Sequence, residues 1–169
     1  MKLLKEITDK EWPEDRSVLE VRKAVRAVLF DENDFIPLLF VSKYNYHKLP
    51  GGGIDDGESK IKALIREVLE EVGSKIEVMG EVGKIIEFRS KWNWKQISYC
   101  YLGKIISKGK LNFTEEELNN RFKLVWLSLN EAISKLKNDK PTNYEGFFIQ
   151  KRDIIFLKKV KKLNLKTDK

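Results

Sequence analysis

The chain has 169 residues, of which 41% are hydrophobic and 35% charged, and its formal net charge is +7. Since a chain of this length buries about 70% of its unfolded surface, residues 1–169 are predicted to form one domain with its own core. No apolar run reaches the roughly 18 residues of a membrane span, residues 1–10 are too charged for an export signal, and the single cysteine, Cys100, fits a reducing cytoplasm.

Two strands are predicted near the start of the chain, after a polar lead-in. Residues 19–30 and 37–42 are rich in apolar and β-branched side chains, and the polar turn 31–34 separates them. The second strand leads to three consecutive glycines at 51–53. Glycines allow positive φ and close approach to a ligand, so the amides and carbonyls of this loop are candidates for contact with a metal or a phosphate.

A helix is predicted between Ser59 and Gly73. Its apolar residues recur at helical spacing and are expected to form one buried stripe, namely Ile61, Leu64, Ile65, Val68 and Val72. Glu67, Glu70 and Glu71 lie three and four positions apart and share another face. Because like charges at this spacing are unfavourable, a cationic partner is expected to compensate them.

The glutamate face is predicted to bind a divalent metal. Oxygen ligands that leave coordination positions open suit Mg²⁺ or Mn²⁺, which keep bound water and are shared with substrate phosphates. Arg66 can pair with one carboxylate, but one guanidinium cannot neutralise three. The alternative is an ordinary solvated acidic face. The glycine loop and Glu58, directly before the helix, favour the metal site, whereas Asp55 and Asp56 are assigned to the turn.

The second half of the chain predicts further strands and helices. In order, these are strands at 76–88 and 96–106, a short strand at 123–127, a helix from 128 to about 137, and a basic helix over about 143–165. The connection 89–95 carries Trp92 and Trp94. Capping boxes at Ser128 and Thr142 open the two helices.

Residues 52–73 resemble the Nudix box. The residues that match its spacing are Gly52, Glu58, Arg66, Glu67, Glu70, Glu71 and Gly73. Ser74 follows where the family usually has an apolar residue, a departure that concerns packing after the helix. The resemblance extends over about residues 21–136. It implies an α/β fold, the Nudix-type α/β/α sandwich, with a mixed central sheet, a core at about 19–137 and a catalytic helix after the glycine-rich loop.

The resemblance also implies an activity. Members of this MutT-like family use a divalent metal and water to hydrolyse nucleoside diphosphates linked to another moiety. By similarity, Glu70 and Glu71 would hold metal. Glu67 would hold metal or act as general base, and Arg66 would orient it. Without covalent catalysis, the carboxylates and Mg²⁺ or Mn²⁺ would activate water.

Further site residues follow from the same resemblance. Glu58 would bind metal or brace the loop, and the carbonyl of Gly51 or Gly52 would add a ligand. Some members place an additional acidic residue later in the chain, which makes Glu117 a candidate, although an acidic loop here can also be solvated. Candidate substrate contacts are Gly52, Gly53, Tyr46, His47 and Trp92. His47 can equally be a surface residue, and the two aromatic residues can equally be core or loop anchors.

Substrate signatures outside the box are missing. The proline of ADP-ribose pyrophosphatases would fall at Phe88 or Arg89, and the tyrosine of dinucleoside polyphosphate hydrolases at Ser90 or Lys91. The upstream motif of coenzyme A hydrolases is also missing. The leading interpretation is hydrolysis of a (d)NTP or an oxidised nucleotide to a nucleoside monophosphate and pyrophosphate. The alternative is an ADP-ribose or ADP-sugar pyrophosphatase.

Two other hypotheses remain open: a catalytically silent nucleotide sensor and an RNA 5′-end hydrolase. Residues 151–169 carry eight Lys/Arg against two Asp, or +6, whereas the rest, with 25 basic and 24 acidic residues, is nearly neutral. A solvated terminal helix is favoured over an RNA or membrane-surface contact. The expected partner is therefore a small nucleotide rather than nucleic acid or membrane, and the chain is expected to be a monomer or a homodimer.

Overall fold

Two sheets and four α-helices form the computed structural model, which describes residues 1–9 and 19–167, with side chains to residue 163. The strands are β1 (Leu3–Thr8), β2 (Glu20–Phe30), β3 (Phe35–Val41), β4 (Tyr46–Lys48), β5 (Ser74–Arg89), β6 (Trp94–Lys108) and β7 (Phe122–Ser128). The helices are α1 (Lys60–Val72), α2 (Glu115–Asn119), α3 (Leu129–Asn138) and α4 (Tyr144–Thr167), and a 3-10 turn covers Ser90–Trp92. None of the helices in this described part is both long and apolar enough to cross a membrane.

The larger sheet is mixed and the smaller one antiparallel. The larger sheet has the order β1-β5-β6-β2, in which β1 runs parallel to β5, β2 parallel to β6, and β5 antiparallel to β6. The smaller sheet has the order β4-β3-β7. Helices cover both sheets, which confirms the predicted α/β class with a mixed sheet.

The alternation of side chains along β2 supplies two separate core clusters. Val25 and Leu29 point to one face, where they pack with Leu64 and Val68 of α1. Val28 points to the opposite face and joins a cluster with the smaller sheet and helices α3 and α4. The larger sheet is therefore covered on both faces, and α1 is fixed against one of them.

The predicted apolar stripe of α1 is only partly buried. Leu64 and Val68 are buried as predicted, but Ile61 and Ile65 are 39% and 46% exposed. Glu71 is buried instead, at 1% exposure. The helix is therefore rotated so that the glutamate side faces the glycine loop and the isoleucines face outward.

Several elements in the described residues, including β4 and the ends of β3, β5 and β6, differ from those predicted. The lead-in contains β1, an edge strand whose only buried side chain is that of Ile7, so its pattern carries little hydrophobic signal. The acidic segment after Thr114 is the short helix α2, opened by a capping box that the sequence contains but that was not used. Helix α4 is capped by Asn143, whose Oδ1 accepts from the Gly146 amide at 3.0 Å, one residue after the predicted Thr142 cap.

The C-terminal helix α4 is more deeply packed than a solvated basic tail would be. Phe156, Leu157 and Val160 are fully buried in the core. Arg152 and Asp153 are also fully buried, so two of the charged residues of this segment belong to the interior. The exposed lysines are thus carried on the outer side of an integral helix.

Gly73 ends α1 in the left-handed conformation, with φ of 65°. A Cβ atom there would lie 2.5 Å from the Lys110 carbonyl oxygen. Gly73→Ala is therefore expected to lower the free energy of unfolding by about 2 kcal/mol or more. The added methyl group would strain the left-handed backbone and would also collide with the Lys110 carbonyl. Denaturant unfolding measures this loss. Gly80→Ala is the matched control, since Gly80 has no atom within 4 Å of the added Cβ, and an equal loss in both variants would contradict the assignment.

Candidate active site

The glycine loop is held between strand β2 and the glutamates of α1. The Val25 amide donates to the Gly52 carbonyl at 3.0 Å, which aligns the loop with the strand edge. A Cβ atom on Gly51, where φ is 128°, would lie 2.2 Å from the Val25 carbonyl oxygen. A Cβ atom on Gly52 would lie 2.4 Å from the carboxylate of Glu67. Position 51 therefore requires glycine, whereas a side chain at Gly52 would displace the Glu67 carboxylate, because the loop backbone directly meets the acidic face.

Arg66 connects the helix, the turn and the loop. Its Nη1 donates to Glu67 Oε1 at 2.7 Å, so it orients that carboxylate. Its Nε and Nη2 donate to the two oxygens of Glu58 at 3.1 and 2.9 Å, and Nη2 also reaches the Gly53 carbonyl at 3.1 Å. The guanidinium lowers the pKa of Glu58. Glu58, with both oxygens engaged, braces the loop.

Glu71 is the buried anchor of the site. Its Oε2 accepts from the Gly51 amide at 2.6 Å, and its Oε1 accepts from Lys48 Nζ at 2.7 Å. Burial raises the pKa of Glu71 to about 7, against the opposing effect of Lys48. The carboxyl is therefore partly protonated near neutral pH when no further cation is present.

A cleft of about 300 Å³ lies beside these residues. Its acidic side chains are those of Glu67, Glu70, Glu71, Glu116, Glu117 and Glu145. Its cationic side chains are those of Arg26, Lys48 and Arg66. Burial, followed by repulsion from the nearby Glu67, raises the pKa of Glu70. An added cation would relieve that repulsion.

The donor set fits a hard divalent cation. Glu67 and Glu70 are 12% and 31% exposed, so their carboxylates can be reached from the cleft. The Gly52 carbonyl already accepts from β2, which makes the Gly51 carbonyl the better candidate for a backbone ligand. Among the described residues, no three acidic, His or Cys side chains converge on one metal position. A bound ion would therefore rely on water and substrate oxygens as well, as Mg²⁺ commonly does.

The remaining predicted site residues are divided between the cleft and the interior. Glu117 lines the cleft opposite α1, but its Oε2 also caps α2 by accepting from the Thr114 amide at 2.6 Å. Tyr46 lines the cleft and is buried. His47 is buried, with Nδ1 2.9 Å from Asp139 Oδ1.

Neither His47 nor Trp92 is among the residues that line the cleft. The His47 ring stacks on Phe40 with 4.5 Å between centroids. Trp92 packs against Trp94 and Tyr144, with centroids 4.7 and 5.0 Å apart. Their described contacts are therefore structural, and their proposed contact with substrate stays a prediction.

Sequence reasoning missed several residues that line the cleft, among them Lys48, Arg26 and Glu145. Lys48 directly precedes the glycine loop, and Arg26 interrupts the apolar run of β2, so both carried a local signal. Glu145 is brought in by α4 from the far end of the chain. Only the tertiary structure could place it beside the box.

Comparison with known proteins agrees with this architecture. The NUDIX domain model matches residues 20–147. Diphosphoinositol polyphosphate phosphohydrolase 2 of Mus musculus is 28% identical over 132 residues, which cover 78% of this chain and 70% of the relative. An RNA pyrophosphohydrolase of Dinoroseobacter shibae is 36% identical over 81 residues, which cover 45% of this chain and 51% of the relative.

Solved structures show the same fold. The MutT protein from Methanosarcina mazei Go1 aligns with a TM-score of 0.61 at 22% identity, covering 87% of this chain and 97% of that structure. A NUDIX hydrolase from Nitrosomonas europaea aligns with a TM-score of 0.58 at 18% identity, covering 79% of this chain and 88% of that structure. With the family match spanning most of the chain and the box residues assembled around one cleft, the chain belongs to the Nudix family of hydrolases.

Proposed function

We propose that this chain is a metal-dependent pyrophosphohydrolase that cleaves a nucleoside triphosphate, either a (d)NTP or an oxidised nucleotide, to a nucleoside monophosphate and pyrophosphate. The observation that carries the proposal is the cleft itself. Three helix carboxylates face it beside a close-approach glycine loop, and three cationic side chains lie among them. This arrangement suits a polyphosphate bound together with metal ions.

Each residue of the box would then have a defined task. Glu67, Glu70, Glu71 and the Gly51 carbonyl, together with water and substrate oxygens, would supply the ligands of Mg²⁺ or Mn²⁺, which would neutralise phosphate charge and make water more acidic. Arg66 fixes the rotamer of Glu67 through its 2.7 Å contact. As the alternative to holding metal, Glu67 would accept a proton from the attacking water.

A second depression supports a nucleoside as the rest of the substrate. It has a volume of about 510 Å³ and shares Glu116, Asn120 and Glu145 with the cleft. Tyr44 and Asn119 also line it, offering an aromatic ring for stacking and an amide that can hydrogen-bond a base edge. A ligand that extends from the glutamates into this depression would carry its base there.

Sequence similarity favours a second candidate, hydrolysis of a diphosphoinositol polyphosphate. The relative of that name matches 78% of this chain. The cations in the cleft would suit such a ligand, whereas the Tyr44 depression would have no base to bind. RNA 5′-end hydrolysis is a lesser candidate, suggested by the RNA pyrophosphohydrolase relative and by the exposed lysines of α4.

A substrate panel tests the proposal directly. Nucleoside triphosphates, oxidised nucleotides, ADP-ribose, a diphosphoinositol polyphosphate and 5′-triphosphorylated RNA are incubated with Mg²⁺ or Mn²⁺, and products are resolved by chromatography. We expect the nucleoside triphosphates to be turned over fastest. In ¹⁸O-labelled water, the label should appear in one product after a single turnover. Inorganic phosphate as the first product from every nucleotide would reject the pyrophosphohydrolase assignment.

Removal of one box charge should separate catalysis from folding. Glu67→Gln is expected to lower kcat by about 10² or more, because a metal ligand or proton acceptor is lost. Steady-state kinetics and thermal unfolding are measured in parallel. Glu77→Gln, an exposed glutamate on β5, serves as the control and should keep wild-type kinetics. Wild-type turnover in the Glu67 variant would show that this carboxylate has no catalytic part.

The raised pKa of Glu71 predicts how metal binding depends on pH. The folded pKa of about 7 lies above the ordinary 4.5, so the metal-free folded state keeps a proton that the unfolded chain has lost. The contribution of Glu71 to the metal-free free energy of unfolding therefore falls as pH rises from 4.5 to about 7. Metal binding must displace this proton, so Mg²⁺ affinity should rise about 10-fold between pH 6 and pH 8.

The increase in Tm at a fixed Mg²⁺ concentration measures this dependence. We expect a larger increase at pH 8 than at pH 6 in the wild type and in Glu77→Gln. In Glu71→Gln the increase should be small and independent of pH. An increase in the wild type that is equal at both pH values would contradict a role for the Glu71 carboxylate in metal binding.

A further inference from the structure

A buried ionic cluster lies behind the inner wall of the cleft. Glu87, Arg89 and Arg152 are fully buried on β5 and α4. Arg89 Nη2 donates to Glu87 Oε1 at 3.1 Å, and Arg152 Nη1 lies 3.5 Å from Glu87 Oε2. Arg152 Nε donates to Asp153 Oδ1 at 2.7 Å. Each of these two guanidiniums therefore has at least one carboxylate partner.

Arg26 is the third guanidinium of this region and lacks such a partner. It is 7% exposed, and its Nη1 donates to the Val25 carbonyl at 2.7 Å. Its Nε is buried without a hydrogen-bond partner, and Arg26 forms no ion pair with any residue that the structure describes. Burial, followed by the nearby Arg152, lowers the pKa of Arg26, against the opposing effects of Asp153, Glu71 and Glu87, none of which forms an ion pair with it. A buried cation in this condition is destabilising unless an anion approaches it.

The number of buried charges also indicates that Arg26 lacks a counter-ion among the described residues. Three guanidiniums, those of Arg26, Arg89 and Arg152, are buried near three buried carboxylates, those of Glu71, Glu87 and Asp153. Because Glu71 is paired with Lys48 at 2.7 Å, Glu87 and Asp153 remain for the three guanidiniums. Unsatisfied N–H groups remain on all three guanidiniums. Glu145 reaches Arg89 at 3.4 Å from its half-exposed position, so it compensates Arg89 rather than Arg26.

Of these three buried arginines, Arg26 lines the cleft, whereas Arg89 and Arg152 are not among its lining residues. Its neighbours there include Tyr46 and Ile149, which are buried and reduce the access of water. A guanidinium in such surroundings binds a phosphoryl group more strongly than one in open water, and its planar fork matches two phosphate oxygens.

We infer that Arg26 binds a phosphoryl group of the substrate other than the two that flank the cleaved bond. For a nucleoside triphosphate cleaved between its inner two phosphorus atoms, this is the terminal phosphoryl group. The chain would thus select triphosphates over diphosphate-linked substrates. This inference rests on the proposed function, because it assigns a subsite within the same cleft.

The experiment measures equilibrium binding of inorganic tripolyphosphate and pyrophosphate by titration calorimetry in Mg²⁺. The wild type is expected to bind tripolyphosphate at least 10-fold more tightly than pyrophosphate, the range expected for one added charge-assisted contact. Arg26→Gln should reduce this preference to near unity. Arg26→Lys, which keeps the charge but loses the planar fork, should give an intermediate preference.

Two matched controls separate this subsite from general attraction to basic residues. Arg22→Gln removes a half-exposed arginine from the same strand, and Lys158→Gln/Lys161→Gln removes exposed lysines from α4. Both should keep the wild-type preference. Circular dichroism and Tm establish that each variant is folded. If Arg26→Gln does not fold, the binding measurement on Arg26→Lys decides. A preference for tripolyphosphate equal to that of the wild type, in whichever Arg26 variant folds, overturns the inference.

The Arg26 subsite and the proposed hydrolysis of nucleoside triphosphates can be rejected independently of each other. A tripolyphosphate preference that depends on Arg26, without turnover of any nucleoside triphosphate, would retain the subsite and reject the proposed function. Turnover of nucleoside triphosphates by an Arg26→Gln variant with unchanged selectivity over the corresponding diphosphates would retain the function and reject the subsite.

Discussion

The contact on which the site depends is the one between Glu71 and the glycine loop. A single buried carboxylate accepts from the Gly51 amide at 2.6 Å and from Lys48 at 2.7 Å, and so joins α1, the loop and β4. Leaving a buried carboxylate without such donors is costly, so helix and loop are held together. The same contact explains the orientation of α1. Because Glu71 points inward, the predicted apolar stripe is only partly buried, and Ile65 is exposed.

The charges of the cleft form two complementary groups. The first group is the acidic side chains of α1, among which burial and repulsion by Glu67 raise the pKa of Glu70. The second is Arg26, which lines the same cleft and forms no ion pair with any described carboxylate. A metal ion would satisfy the first group and a phosphoryl group the second. The cleft is therefore organised for a ligand that brings cations and anions together, which is the character of a metal-bound polyphosphate. This view connects the family assignment with the proposed selectivity.

Short sequence motifs correctly predicted helix ends, which depend on residues that are close in sequence. The Ser59 cap and the Gly73 terminus define α1, and the capping box at Ser128 opens α3 as predicted. Strand β1 was missed because it is a charged edge strand with one buried residue. The rotation of α1 and the positions of Arg26 and Glu145 depend on contacts between elements distant in sequence, which periodicity cannot supply. The grouping of the box residues on α1 beside the glycine loop was therefore predictable, whereas the contribution of Arg26 and Glu145 to the cleft was not.

The proposed function depends on the binding of divalent metal by the carboxylates of α1 in the cleft. Electron paramagnetic resonance of added Mn²⁺ measures free and bound ion directly, without substrate or turnover. We expect saturable binding to the wild type and to Glu77→Gln, and a loss of affinity of about 10-fold or more in Glu67→Gln and Glu70→Gln, as follows when a ligand is removed. Wild-type affinity in both of these variants, with the fold intact, would contradict metal binding by these carboxylates.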